Sequence, residues 1–262
     1  MKKAVFFDID GTLIDASSGM TKMSELTKQA IRDLQDAGHY TFIATGRPLA
    51  FLDEELLSFG FDGYVLMNGA VVMLGDRVIY QKPLAKKIVT HICQVCEEQK
   101  IQYILQGVSK VYLQPHFKEM DAFYAGLEIS KQHFCYEFMP EDLDVYKMEF
   151  IAQNDQSREI CASFVTPDMY FMVDPRHNLN FELYARAETK ATGILHALQH
   201  LQLPVTQSFA FGDGVNDQEM LQAVGCSMAM GNAEASIKNL ASYIVPAVKD
   251  EGVAKGIYQY IL

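Results

Sequence analysis

The sequence predicts an α/β protein whose mostly parallel core sheet is interrupted by an inserted α+β domain. In the first eighty residues, and again after about residue 185, short continuous apolar runs alternate with helical segments. Such runs are typical of strands in a parallel sheet that is covered on both faces. Between these regions, longer amphipathic strands follow one another across turns, which indicates an antiparallel sheet. We therefore expect a core domain from residues 1–82 and 185–262, and an inserted domain from residues 83–184.

The first half of the core is predicted from apolar runs and from the residues that begin and end helices. The apolar run over residues 4–7 predicts the first strand. A helix is predicted over residues 24–37 and ends at Gly38, because Leu26, Ala30, Ile31 and Leu34 fall on one face. The remaining elements predicted here are strands over residues 41–44 and 64–67, a helix that begins at Pro48, and a hairpin over residues 71–80.

The insert and the second half of the core are predicted in the same way. In the insert, strands are predicted over residues 102–105, 111–114, 146–152, 169–173 and 179–184. His177 lies in the predicted turn over residues 173–178, where a structural or exposed role is favoured over a substrate contact. In the second half of the core, helices are predicted over residues 191–201, 217–223 and 252–262, and strands over residues 208–211, 226–230 and 243–245.

Composition excludes several classes of function. The chain has 262 residues and a formal net charge of −11, which argues against a nucleic-acid partner or an anionic membrane surface. No apolar run approaches the roughly eighteen residues of a membrane span, and the first residues lack the pattern of a signal peptide, so a cytoplasmic protein is expected. Cys93 and Cys96 form a CxxC pattern without a second pair, and we expect buried thiols there.

Two aspartates directly follow the first predicted strand. Asp8 and Asp10 would share a face if that strand continued, and they would face the crevice where open α/β sheets bind ligands. Two carboxylates so close repel each other unless a cation lies between them or one of them holds a proton. We predict that Asp8 is a nucleophile toward phosphorus, and that Asp10 is the general acid and then the base that activates water.

Three further motifs are expected at the same edge of the sheet. Asp213 and Asp217 offer hard oxygen ligands, which with Asp8 and Asp10 are suited to Mg²⁺. Lys190 supplies a positive charge for phosphoryl oxygens. The predicted phosphate-binding residues are Gly11, Thr45, Gly46 and Lys190, and the predicted substrate contacts are Arg47, Asn68 and Asn216.

Structural interpretations of these residues stay open at this point. Asp213 and Asp217 also suit a helix cap around Asn216. Arg47 suits a structural ion pair as well as it suits a substrate contact, and Asn68 precedes a glycine, as in many turns.

Taken in order, these motifs resemble those of a known family. DIDGTL at residues 8–13, ATGR at 44–47, Lys190, and GDGVND at 212–217 resemble the four signature motifs of the haloacid dehalogenase (HAD) superfamily. Residues 68–70 and 230–233 resemble its Cof-type phosphatase branch. The resemblance implies a Rossmann-like core, a mobile α/β cap formed by the insert, and dependence on Mg²⁺. Relatives usually have glycine directly after the motif lysine, where this chain has Ala191.

The predicted function is hydrolysis of a small phosphorylated metabolite by a Mg²⁺-dependent phosphomonoesterase, through an aspartyl phosphate. A sugar phosphate is favoured as the substrate on the family resemblance alone, and the cap is expected to select it. Two alternatives stay open. One is a phosphomutase that shares the nucleophile and the metal, and the other is a non-catalytic regulatory protein that binds phosphorylated metabolites. A monomer or a small homo-oligomer is expected.

Overall fold

The computed structural model describes residues 1–127, 129–173 and 180–262. The predicted turn that contains His177 lies outside the described residues. The chain forms two compact units. The first unit comprises Met1–Gly46, Glu54–Gln81 and Thr189–Leu262, and the second comprises Arg47–Asp53 and Lys82–Glu188. The prediction that residues 83–184 form a substrate-selecting domain stays a prediction.

Strands and helices alternate through most of the chain. The strands are β1 (Ala4–Phe7), β2 (Tyr40–Ala44), β3 (Gly63–Leu66), β4 (Val71–Leu74), β5 (Arg77–Gln81), β6 (Gln102–Gln106), β7 (Val111–Leu113), β8 (Phe134–Cys135), β9 (Lys147–Ile151), β10 (Met169–Val173), β11 (Asn180–Ala185), β12 (Ser208–Gly212), β13 (Cys226–Ala229) and β14 (Tyr243–Ile244). The α-helices are α1 (Glu25–Asp36), α2 (Glu54–Phe59), α3 (Lys86–Gln99), α4 (Lys118–Gly126), α5 (Asp155–Ser163), α6 (Lys190–Leu201), α7 (Gln218–Ala223), α8 (Ala235–Lys238) and α9 (Gly252–Tyr260).

The first unit is built on a sheet with the strand order β14-β13-β12-β1-β2-β3-β4-β5. Strands β1, β2, β3, β12, β13 and β14 run parallel, while β4 and β5 are added as an antiparallel hairpin. Strand β1 has four apolar side chains that are all fully buried, and it lies between β2 and β12. The parallel order brings the carboxyl ends of β1, β2 and β12 to one edge of the sheet. The predicted fold class is confirmed.

Capping residues and a glycine mark the ends of α1, as expected from the sequence, while the helix predicted to begin at Pro48 begins later. Ser24 caps α1 by accepting a hydrogen bond from the N–H of Thr27, and Gly38 follows the helix at a φ of +80°. Of the four residues predicted to share one face of α1, Ala30, Ile31 and Leu34 are fully buried, while Leu26 is 46% exposed. Pro48 precedes a short 3-10 helix at Leu49–Phe51, so this helix begins one residue later than predicted. Within the described ranges, no helix is long and apolar enough to cross a membrane.

The second unit is built on a sheet with the strand order β10-β11-β9-β6-β7-β8. Its strand pairings are antiparallel except that of β7 with β8, which is parallel. Strand β8 is too short to be recognised from its sequence. Buried apolar side chains from β6 and β9, such as Leu105 and Phe150, belong to the core of this unit. Cys93 and Cys96 on α3 are buried in the same core as free thiols, as predicted. Burial raises the pKa of Cys93 to about 12, which makes it a poor nucleophile.

Candidate active site

Asp8 lies directly after β1, where the apolar strand ends. Its backbone N–H donates a hydrogen bond to the carbonyl of Phe211 on β12 (3.1 Å), which extends the parallel pairing by one residue. Asp8 is only 5% exposed. A carboxylate with so little contact with water needs a positively charged or hydrogen-bonding partner within the protein.

Lys190 provides that partner from the first turn of α6. Its Nζ lies 2.5 Å from Asp8 Oδ1 and 2.6 Å from Asp217 Oδ1, and the lysine is completely buried. A cation at a helix N-terminus is electrostatically unfavourable, and the two carboxylates offset that cost.

The alanine after Lys190 does not disturb the start of α6. Thr189 caps the helix, and its side chain and that of Thr192 form reciprocal hydrogen bonds with each other's backbone N–H. The glycine of this segment is Gly193, and a Cβ there would lie 2.9 Å from the Cα of Gly69. Close backbone packing therefore occurs at residue 193 and does not require glycine at residue 191.

Asp217 and Asp213 come from the loop that follows β12. Asp217 is completely buried, and its Oδ2 accepts hydrogen bonds from the N–H groups of Asp213 and Gly214 (both 2.9 Å). Thr12 donates its hydroxyl to Asp213 Oδ1 (3.2 Å). Asp217 thus makes half of the capping arrangement that the structural interpretation assigned to both aspartates, and it also pairs with Lys190.

Three carboxylates meet at this edge of the sheet. Asp8, Asp213 and Asp217 each offer a carboxylate oxygen, and these oxygens all lie within 4.8 Å of one another. With Lys190 as the paired cation, the four groups carry a formal charge of −2 when ionised. Hard oxygen donors with an excess of negative charge fit Mg²⁺, so the residues present suit the metal that the resemblance implies.

The pKa values of these groups indicate the same excess of charge. Burial and the charge of Asp217 raise the pKa of Asp8 well above its ordinary value, although Lys190 opposes this shift. Burial, and then Asp217, raise the pKa of Asp213 to about 6. Burial alone would lower the pKa of Lys190, but Asp217 and Asp8 raise it, so the lysine stays charged. The site therefore resists full ionisation without a further positive charge.

Asp10 and Gly11 form the turn beside these carboxylates. The side chain of Asp10 is exposed and is not one of the three grouped carboxylates, yet its charge contributes to raising the pKa of Asp213. Gly11 has a φ of +89°, and a Cβ there would overlap the Asp213 carboxylate. The N–H of Gly11 donates to the carbonyl of Ile14 (2.7 Å), and the role of Gly11 in phosphate binding stays a prediction.

Thr45, Gly46 and Asn68 lie together beyond the ends of β2 and β3. Thr45 is 2% exposed, and its N–H donates to the carbonyl of Val65 (2.8 Å). A Cβ at Gly46 would lie 3.0 Å from Asn68 Oδ1, and Asn68 is itself buried. The side chains of Thr45 and Asn68 are therefore both present in this part of the site. The backbone N–H of Thr45 is already hydrogen-bonded to a carbonyl of β3.

The other two predicted substrate contacts are placed differently. Arg47 begins the second compact unit, and its guanidinium donates a hydrogen bond to the carbonyl of Phe51 (3.4 Å). Asn216 is exposed in the loop after β12. Their roles as substrate contacts stay predictions.

Asn232 belongs to this site and was not predicted from its residue type. Its Nδ2 donates to the carbonyl of Gly11 (2.8 Å) and contacts Asp213 Oδ2 (3.4 Å), while its Oδ1 accepts from the N–H of Val248 (3.3 Å). One amide therefore connects the Gly11 turn, the Asp213 carboxylate and the segment before α9. The sequence feature that could have identified Asn232 is the segment at residues 230–233, which resembles the Cof-type branch but does not by itself indicate what Asn232 binds.

Comparisons with known proteins show what the whole chain is similar to. A family model described as haloacid dehalogenase-like hydrolase matches residues 5–257. YkrA of Bacillus subtilis (strain 168), named provisionally as a phosphatase, is 27% identical over 259 residues, covering 97% of this chain and 96% of YkrA. The 5-amino-6-(5-phospho-D-ribitylamino)uracil phosphatase YcsE of the same strain is 25% identical over 262 residues, covering 99% of this chain and 96% of YcsE. The solved structure of BT4131, a sugar phosphatase of HAD subclass IIB, has a TM-score of 0.80 at 26% identity and covers 99% of both chains.

Proposed function

This chain belongs to the haloacid dehalogenase-like hydrolases, and from that premise we propose that it is a Mg²⁺-dependent phosphatase that hydrolyses small phosphate monoesters through an aspartyl phosphate on Asp8. The observation that carries the proposal is the position of Asp8. It lies next to the buried Lys190 cation and within reach of two further carboxylates.

In the first half of the reaction, a carboxylate oxygen of Asp8 attacks phosphorus while the bond from phosphorus to the ester oxygen breaks. Asp10 donates its proton to the departing alkoxide, which leaves as a neutral alcohol. Lys190 offsets the negative charge that the phosphoryl oxygens carry in the transition state. Asp8, Asp213 and Asp217 would hold Mg²⁺, which when bound supplies positive charge that stabilises the phosphoryl group.

In the second half, the aspartyl phosphate is hydrolysed. Asp10, now ionised, removes a proton from water, and the hydroxide attacks phosphorus. The bond from phosphorus to Asp8 breaks, which releases inorganic phosphate and restores the carboxylate. Exposure suits Asp10 to this role, because it must exchange protons with the alcohol in one half and with water in the other.

We take the substrate to be the phosphate ester of a sugar or a polyol. The support comes from two relatives. BT4131 is named a sugar phosphatase, and the substrate in the name of YcsE carries a phosphorylated ribityl chain. Both names describe an alcohol that is rich in hydroxyl groups.

Phosphate release tests the proposal. Purified protein with Mg²⁺ is expected to release phosphate from p-nitrophenyl phosphate and from members of a panel of sugar and polyol phosphates, and excess EDTA is expected to stop the reaction. Full activity in EDTA contradicts the metal requirement. Activity that depends on a bisphosphate activator and yields an isomeric ester indicates a phosphomutase. Calorimetric binding of the esters without turnover indicates a regulatory protein.

A further inference from the structure

Asn232 is an exposed residue of the first unit, yet both ends of its side-chain amide are held. Its Nδ2 lies 2.8 Å from the carbonyl oxygen of Gly11 and 3.4 Å from Asp213 Oδ2, and its Oδ1 lies 3.3 Å from the backbone nitrogen of Val248. Holding an exposed side chain costs conformational entropy, and a hydrogen bond contributes only about 0.5–1.5 kcal/mol net to stability. Stability alone is therefore a weak reason for this arrangement.

The turn that carries Asn232 is anchored by its backbone. The N–H of Met230 donates to the carbonyl of Gly212 at the end of β12 (3.0 Å), and the N–H of Gly231 donates to the carbonyl of Pro246 (3.2 Å). A Cβ on Gly231 would lie 2.9 Å from the carbonyl carbon of Pro246, so these two segments pack closely. The backbone thus presents the amide of Asn232 to the carboxylates from a fixed position.

Asp213 has a neutral hydrogen-bond donor at each of its carboxylate oxygens. Thr12 Oγ1 donates to Oδ1 (3.2 Å), and Asn232 Nδ2 donates to Oδ2 (3.4 Å). A carboxylate oxygen has two lone pairs, so each oxygen can accept one of these hydrogen bonds and still bind a cation. Because both oxygens are held, rotation of the carboxylate about its Cβ–Cγ bond is restricted.

The same amide also holds the turn that follows Asp8. The N–H of Gly11 donates to the carbonyl of Ile14 (2.7 Å), and the carbonyl of Gly11 accepts from Asn232 Nδ2 (2.8 Å). The turn itself therefore orients the peptide plane before Gly11, and Asn232 orients the plane after it. The Asp213 carboxylate packs against Gly11, where a Cβ would overlap it, so a shift of this turn would displace that carboxylate as well.

An amide side chain suits these contacts. Nδ2 has two N–H groups for the Gly11 carbonyl and Asp213, while Oδ1 accepts from the N–H of Val248. Aspartate at this position would offer no donor and would repel Asp213. Lysine would add a positive charge that opposes the binding of a divalent cation. Asparagine therefore orients the carboxylate and leaves the charge of the site unchanged.

We propose that Asn232 is a positioning residue for Mg²⁺, which holds the Asp213 carboxylate and the Gly11 turn in the orientation that binds the cation. This inference rests on the proposed function, which supplies the metal. Loss of a group that hydrogen-bonds to a metal ligand typically lowers metal affinity by about 10–100-fold. We expect the lower end of that range, because Thr12 still holds Asp213 when the amide is removed.

Calorimetric titration with Mg²⁺ tests this role in the absence of substrate. Asn232→Leu keeps a similar side-chain size and removes the amide, and we expect the Kd for Mg²⁺ to rise on the order of tenfold. The matched control is Asn239→Leu, at an exposed position directly after α8. Its Kd should stay within about twofold of the wild-type value, as for a surface substitution away from the site.

Turnover of p-nitrophenyl phosphate supplies a second readout. For Asn232→Leu, the Mg²⁺ concentration that gives half of the maximal rate should rise by the same factor as the Kd. The kcat at saturating Mg²⁺ should largely recover, because Asn232 acts through Asp213 and does not touch the reacting atoms. A residue that only supports the fold would not shift the Mg²⁺ dependence in this way.

Each outcome decides for or against the positioning role. An unchanged Kd for Asn232→Leu, an equal rise for Asn239→Leu, or a wild-type protein that binds no Mg²⁺ overturns it. If the wild-type protein binds Mg²⁺ but releases no phosphate, the proposed function alone fails, and the Kd values still decide the role of Asn232. If circular dichroism shows that Asn232→Leu does not fold, Asn232→Ala decides by the same titration, because it adds no apolar bulk at this exposed position.

Discussion

Asp8 is a buried carboxylate whose neighbourhood already favours an uncharged side chain, since burial and Asp217 raise its pKa. Asp8→Asn keeps the size of the side chain and removes the nucleophilic oxygen. We expect phosphate release to fall by a factor on the order of 10³ or more, because no other group takes over the attack on phosphorus. The fold should survive, since a neutral amide is tolerated in this environment. Phosphate release and thermal unfolding are the measurements.

Asp76→Asn is the matched control for this substitution. Asp76 is exposed in the turn between β4 and β5, so the same chemical change there should leave turnover intact. An Asp8→Asn protein that keeps near wild-type turnover would falsify the nucleophile assignment.

Asp10 differs from Asp8 in being exposed, and its proposed task is proton transfer. Asp10→Asn should lower kcat/KM strongly with alkyl esters such as sorbitol 6-phosphate, because an alkoxide leaves only if it is protonated. This ratio reports the steps up to the breaking of the ester bond, so the later hydrolysis step, in which Asp10 acts as a base for both esters alike, does not enter it. The loss should be at least about tenfold smaller with p-nitrophenyl phosphate, whose phenolate leaves without a proton. Equal losses with the two esters contradict the role of Asp10 as an acid.

Which carboxylates lie together could be predicted from the sequence. The amide and backbone groups that hydrogen-bond around them could not. Asp8 and Asp213 follow neighbouring parallel strands, so the order of the strands alone brings them to one edge. Asn232 contacts the site through an amide in a loop, where no periodicity or charge pair distinguishes it. The N–H groups of Gly11 and Thr45 are taken up by backbone partners that a linear sequence cannot identify.

Helix α6 positions Lys190, and the loop after β3 positions α6. Met67 and Asn68 both have positive φ values (48° and 53°), and Gly69 follows at +97°. A Cβ on Gly69 would overlap the carbonyl oxygen of Thr189, the residue that caps α6. The strained loop is therefore the surface on which the N-terminus of the helix packs.

Gly69→Ala tests this packing against Gly38→Ala. Both glycines have positive φ, but a Cβ on Gly38 meets nothing within 4 Å. Gly38→Ala should cost only about 1–2 kcal/mol for the left-handed backbone. Gly69→Ala should cost at least about 1 kcal/mol more, because α6 must move. Urea unfolding measures both costs. Phosphate release should fall only for Gly69→Ala, since movement of α6 displaces Lys190, and equal losses of stability contradict the close packing.

The ends of strands and helices were predicted to within one or two residues where the periodic pattern of apolar residues is long. The strand at Met169–Val173 begins and ends at the predicted residues, and α6 begins one residue earlier than predicted, at Lys190. The pattern fails for short pieces. Strand β8 has two residues, and an alternation of apolar and polar residues cannot be recognised in so short a segment. Its pairing with β7 depends on residues distant in sequence.

The net charge of −11 and the three grouped carboxylates link the stability of the folded protein to pH and to cations. The pKa of Asp213 is raised from an ordinary value of 3.8 to about 6. Between these values the folded protein holds this proton while the unfolded chain has lost it, so stability falls as pH rises. Below pH 3.8 the ionisation of Asp213 costs no stability, and above about pH 6 the whole cost is present.

Asp213→Asn cannot ionise and should escape this penalty. In EDTA, the free energy of unfolding of the variant relative to wild type should rise between pH 4 and pH 7 by on the order of 1–3 kcal/mol, measured by urea unfolding. Asp8 and Asp217 are present in both proteins and largely cancel in the difference. Adding Mg²⁺ at pH 7 should stabilise the wild type more than the variant, because the variant has lost one carboxylate of the group. A difference that is constant with pH would mean that Asp213 ionises as readily in the folded protein as in the unfolded chain. The excess of negative charge would then be no reason to expect a cation among these carboxylates.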